Sequence, residues 1–123
     1  MFRLVVPQSV EVQMVLTVSG TSGDGLVRAF ASDYPTLLRE ALGRMRRGGP
    51  EVGRWHDING VEVYTHHLWL PRVPAYHLFL YRIVDGDVVE VGHLLHEEMP
   101  LHLYIPLQWR RDARKSNAAQ YSH

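Results

Sequence analysis

The stretch Tyr76–His96, YHLFLYRIVDGDVVEVGHLLH, decides the fold. Two apolar, β-rich runs flank Val84-Asp85-Gly86-Asp87. Asp-Gly between such runs is the strongest short-range hairpin signal, because both residues accept the backbone of a tight turn. Upstream, Glu62–Leu70 (EVYTHHLWL) is a third run of the same kind, separated by Pro71-Arg72-Val73-Pro74. Together they predict a three-stranded antiparallel meander, and the rest of the chain must supply whatever buries a face of it.

Working outward, Phe2–Val6 is short and β-prone and is closed by Pro7, so it suits a terminal strand at an edge of the meander. The segment Gln8–Ser19 is ambiguous. Val10, Met14 and Val18 recur at helical spacing, whereas Val10, Val12 and Met14 alternate with Glu11 and Gln13, and the β-branched content favours a strand. Gly20–Gly25 (GTSGDG) is a loop. Leu26, Ala29 and Phe30 begin a helical pattern. Ser32 then stands as a helix cap before Tyr34 and Pro35. Tyr34, Leu37, Leu38, Ala41, Leu42 and Met45 form an apolar stripe at helical spacing, opposite Arg39, Glu40, Arg44 and Arg46. Gly48-Gly49-Pro50 ends that helix. Glu51–Gly60 is expected to be a loop carrying Trp55 and the turn Asn59-Gly60. Leu101, Leu103 and Ile105 suit either a short strand or a short helix before Pro106. The expected architecture is α+β: an N-terminal strand and a two-helix hairpin packed on an antiparallel sheet. It forms one domain over residues 1–111, with a polar tail over 112–123.

Composition narrows the function. Lys plus Arg and Asp plus Glu both number 13, so no net field draws the protein to nucleic acid. The chain has no cysteine, which removes disulfide and thiolate chemistry and suits a reducing compartment. No apolar run is long enough to span a membrane and the first residues lack a signal-peptide pattern, so a cytoplasmic location is expected. Eight histidines invite a metal site, but His66 and His67 are adjacent on a strand, and His93 and His96 are three apart on another. Each pair therefore divides between faces, and no metal or cofactor is expected. His96, beside Glu97 and Glu98 at a strand end, is the strongest single candidate for acid–base work. Tyr81 and Arg82 point to opposite faces. Neither a nucleophile elbow nor a phosphate-binding glycine loop is present.

His77–Met99 (HLFLYRIVDGDVVEVGHLLHEEM), together with GGPEVGR over Gly48–Arg54 after a long helix, resembles the RelE/ParE superfamily of toxins from type II toxin–antitoxin pairs. The resemblance runs from about residue 26 to residue 100, and it implies that Gln8–Ser19 is the first helix. It also implies one of two activities. RelE-like members cleave mRNA on the ribosome with a strand arginine, a histidine and often a terminal tyrosine. Here the strand arginine's position falls at Leu78, and Glu97 follows His96. Leucine and glutamate remove or oppose the cationic stabilisation that a phosphorane needs. If the chain were nonetheless a ribonuclease, His96, Arg82 and Tyr81 would carry the chemistry. ParE-like members act without a catalytic constellation, by binding DNA gyrase. The resemblance to these, through the Leu94-Leu95-His96 ending, implies a non-enzymatic toxin neutralised by a cognate antitoxin. The expected contact residues are Arg82, His96, Arg110, Arg111 and Arg114, with Trp55, Trp69 and Trp109 on the antitoxin-facing surface. A non-toxic binding module on the same fold is the remaining reading.

Overall fold

A computed structural model describes residues 1–21, 34–68 and 76–121. The fold is α+β: an N-terminal strand and helices arranged around a five-stranded mixed sheet. The strands are β1 (Arg3–Val5), β2 (Arg54–Ile58), β3 (Val61–His67), β4 (His77–Val84) and β5 (Val88–His96), in the order β1-β5-β4-β3-β2. Strands β2 to β5 form an antiparallel meander, and β1 lies parallel to β5, with Leu4 opposite Val89. The three runs predicted as strands are β3, β4 and β5. Both turns have the positive φ that their sequences suit: Asp85 and Gly86 (φ 55° and 79°) in the three-residue connection Asp85–Asp87 between β4 and β5, and Asn59 and Gly60 (φ 54° and 86°) in the two-residue connection between β2 and β3.

The segment expected to be a loop before Asn59-Gly60 is instead strand β2. Its residues, RWHDI, carry too few apolar side chains to show an alternation, because β2 is an edge strand whose outer positions meet solvent. Helix α1 (Gln8–Thr21) resolves the ambiguous segment as the resemblance implied. Val10 is fully buried and Met14 and Val18 pack beside it, so the i, i+4, i+8 spacing prevails over local β propensity. Helix α2 (Tyr34–Gly48) buries Tyr34, Leu37, Leu38, Ala41 and Met45, five of the six stripe residues, with Leu42 at the margin. The segments around Leu26 and the Ser32 cap lie outside the described residues.

The sheet is covered on both faces. Helices α1 and α2 pack on one face, against Phe79, Tyr81, Val89, Val91 and Leu94. On the other, Val61, Val63, Leu78, Leu80 and Leu95 pack against Ile105 and Trp109. Those last two belong to a 3-10 turn (Leu101–Leu103) with the residues after it, and to helix α3 (Leu107–Tyr121). The polar stretch expected as a tail from residue 112 is thus helical to Tyr121. Its apolar pattern is invisible because one large residue, Trp109 at 2% exposure, anchors it. The ring fits where β5 has no side chain: a Cβ on Gly92 would stand 2.6 Å from Trp109 Cη2. Gly92 has no partner on β4, since Tyr81 pairs Val91 and Leu80 pairs His93, so it is the extra residue of a β-bulge.

Candidate functional site

The predicted site residues divide among three places. Arg82 faces α3. Its guanidinium forms ion pairs at 2.8 Å with both Glu90 and Asp112 and lies 5.1 Å from the Trp109 ring centroid. Trp109 Nε1–H donates in turn to Glu90 at 3.2 Å. Asp112 accepts from Arg82 and from Gln108, and these bonds hold its carboxyl below the usual carboxylate range. The Arg82 side chain is 15% exposed and its guanidinium directs both edges at carboxylates, so these donors serve the α3–sheet joint. Tyr81, its sequence neighbour, points to the opposite face as expected. It is fully buried, stacks on Tyr64 with centroids 5.6 Å apart, and donates its hydroxyl to Gly49 O at 2.8 Å. Burial pushes its phenol far above the ordinary value, so it stays a neutral donor. A buried phenol bonded to a backbone carbonyl positions the Gly49–Val52 turn after α2.

The second place is the far end of β4 and β5. His96 and His77 are cross-strand partners with ring centroids 5.6 Å apart, edge to face. Tyr76 stacks on His96. The Tyr34 hydroxyl from the first turn of α2 reaches His77 Nδ1 at 2.5 Å. Burial, followed by the neighbouring His96, pushes the His77 imidazole below its ordinary value, and burial pushes Tyr34 up to about 12. Sequence spacing does not reveal His77 as the partner of His96. Counting back from the Asp85-Gly86 turn puts Leu95 opposite His77, and the Gly92 bulge moves the register by one. A glycine inside a strand pattern was the available signal. His93 lies elsewhere, as the alternation predicts. It contacts Tyr104 edge to face and bonds Gln13 at 3.0 Å. The Gln13 side chain also accepts from Leu94 N–H, supplying a partner to β5 beyond the end of the short β1.

The third place is the surface. Arg111 and Arg114 are exposed on α3, and Arg110 donates to His102 O. Trp55 is 54% exposed on β2. Trp109, expected on a partner surface, is instead part of the second core, because the Gly92 notch accepts its ring. Trp69 lies outside the described residues. Two features were not foreseen. Val12, Val15 and Leu16 of α1 are exposed at 49%, 65% and 64%, since α1 is apolar on more than the face it buries. Beside them, a groove of about 450 Å³ runs between α1 and α2, lined by Met14, Val15, Val18, Pro35, Leu38 and Arg39.

Chemically, the sheet face under α3 is held by packing and ion pairs and carries an open pocket of about 490 Å³ that Arg82, Trp109 and Asp112 help to line, the histidine end offers two imidazoles and two phenols, and the helix pair offers an apolar groove. No helix among the described residues is long and apolar enough to cross a membrane. The chain matches no protein-family model, no curated protein and no solved structure.

Proposed function

We propose that this protein is the toxin of a type II toxin–antitoxin pair, of RelE/ParE type, and that it inhibits growth by binding its target, DNA gyrase, without cutting RNA. The observation that carries the non-catalytic reading is the state of Arg82. Cleavage of RNA needs cations free to meet the phosphorane's growing charge. The one arginine on the meander strands β3 to β5 is already bonded to Glu90 and Asp112 beneath α3. The order strand, helix pair, meander, with the first strand joined to the last, supports the family resemblance of His77–Met99. His96, Arg110, Arg111 and Arg114 remain the proposed target contacts and Trp55 a proposed antitoxin contact, all outside the two cores. The cognate antitoxin is proposed to occupy the groove between α1 and α2 with an extended apolar segment.

The purified protein, added to gyrase and supercoiled plasmid, is expected to block supercoiling and to accumulate linear DNA from trapped cleavage complexes. Unchanged supercoiling at a large molar excess would remove gyrase as the target.

One observation favours a second reading, a ribosome-dependent endoribonuclease. Tyr34, His77 and His96 bring together groups able to take and give protons. Their described neighbours, Tyr76 and the Glu98 backbone, add no cation, which places this reading second.

A further inference from the structure

The turn between β2 and β3 carries chemistry that neither reading of the function uses. Asn59-Gly60 sets a side-chain amide beside the one residue type whose backbone nitrogen has no Cβ to shield it. Once deprotonated, the Gly60 nitrogen can attack the Asn59 side-chain carbonyl carbon. A bond forms from Gly60 N to Asn59 Cγ, ammonia leaves, and a five-membered succinimide remains. Water then opens one or other of the two ring carbonyls, giving aspartate or isoaspartate. Water is the only co-reactant, and both residues are exposed to it. The chain's other asparagine, Asn117, precedes Ala118, whose methyl crowds the same attack.

Two features of the fold oppose this reaction. Ile58 and Val61 pair across the turn, and Asn59 and Gly60 both hold positive φ (54° and 86°). Ring closure needs the Gly60 nitrogen swung round to the Asn59 side chain, which the turn opposes while it stays closed. The second feature is Asp57, whose Oδ1 accepts the Gly60 N–H at 2.8 Å. The proton that must leave before the attack is therefore held in a charge-assisted bond. Its departure would set a negative nitrogen against a carboxylate.

We propose that Asn59 is a site of spontaneous deamidation and that Asp57 restrains it. The position gives the change a consequence. Asn59 lines a pocket of about 250 Å³ with Ile58, Val61, Arg110, Ala113 and Arg114. Among the described residues neither arginine is ion-paired. Deamidation puts a carboxylate on the wall of that pocket, and isoaspartate also lengthens the backbone of the turn by one carbon. Arg110 and Arg114 are proposed target contacts, so the change lowers the positive charge they offer. That consequence rests on the gyrase reading, whereas the chemistry at Asn59 does not.

Ageing of the full chain at mildly alkaline pH, folded and in denaturing urea, tests the proposal. Peptide mapping counts aspartate and isoaspartate at residue 59. The folded chain is expected to react more slowly than the unfolded one. Folded Asp57→Ala, its folding checked by its urea midpoint, is expected to react about three- to ten-fold faster than the unaltered folded chain, as for a charge-assisted bond discounted for exposure. In urea the two chains are expected to react alike. Equal folded rates would overturn the restraint, as would an equal acceleration in urea, which would assign the effect to local sequence. A slower reaction in Asp57→Ala would make the carboxylate a base, which also contradicts the proposal. Absence of product at residue 59 even in urea would remove the site. Should Asp57→Ala not fold, the unaltered chain still decides, because reaction as fast when folded as in urea would overturn the restraint.

Discussion

Arg82 and His96 share one hairpin, yet they face opposite sides of the sheet five rungs apart. Arg82 stands opposite Glu90 under α3, whereas His96 stands opposite His77 on the side of α2. At a rise of ~3.3 Å per residue, about 17 Å of strand separates them, too far for both to act on one phosphate. Of the three residues that would carry cleavage in a ribonuclease, His96, Arg82 and Tyr81, these two therefore serve different structures.

Arg82 is expected to be a stability residue. Arg82→Met keeps much of the stem that packs beside Trp109 but leaves the Glu90 carboxylate with the indole N–H as its remaining recorded partner. The loss of a charge-assisted bond to a partly buried group should cost about 1–3 kcal/mol, read as a lower urea midpoint. Growth inhibition per folded molecule is expected to persist. Its disappearance from a fully folded variant would return Arg82 to the target interface.

The Trp109–Gly92 fit predicts a matched pair of defects. Trp109→Ala empties the second core and should cost about 3–5 kcal/mol. Gly92→Ala drives a methyl to within 2.6 Å of the ring and should cost about 1–3 kcal/mol by overpacking, or more if the bulge cannot yield. A Trp109→Leu/Gly92→Ala chain should lose less than the two single changes add up to, because the two residues share one space. Strict additivity in thermal or urea unfolding would contradict that packing.

Much of this fold is written in periodicity and turn chemistry. Asp85-Gly86 announces the hairpin because both residues adopt positive φ, and the stripe from Tyr34 to Met45 announces α2 because nearly all of it is buried. What escapes has physical causes. Strand β2 hides because an edge strand needs little apolar content, and α3 hides because its burial is concentrated in Trp109. The His77–His96 pairing hides behind the Gly92 bulge, which no alternation pattern records. At the candidate site, the sequence points to His96 and Arg82 individually, but it cannot show that Glu90 and Asp112 already occupy the arginine.

Tyr81 is expected to behave as a buttress. Tyr81→Phe keeps the stack on Tyr64 and removes the hydrogen bond to Gly49 O, at an expected cost of about 1 kcal/mol. Growth inhibition should be unchanged once expression is matched. A large loss of activity at unaltered stability would favour the ribonuclease reading.

The whole domain should be labile to mild acid. His56, His66, His77 and His93 are all held below the ordinary histidine value of 6.5, each chiefly by burial. The unfolded chain then takes up protons before the folded one, so this contribution is complete above 6.5 and is lost as pH falls below it. The Asp112 carboxyl, held below the usual carboxylate range, acts in the same direction at lower pH. Urea midpoints measured from neutral pH downward should decline from about 6.5, and a flat or rising profile would contradict the assignment of buried neutral imidazoles.

The central claim is that the protein arrests growth by binding gyrase without cutting RNA. Pulse-labelling of bacterial cells in the first minutes after inducing this protein alone tests it most directly, with DNA and protein synthesis followed separately. The account predicts that DNA synthesis fails first while translation continues. Translation failing first would contradict it and move the mechanism to Tyr34, His77 and His96, and failure of neither would remove the toxin reading itself.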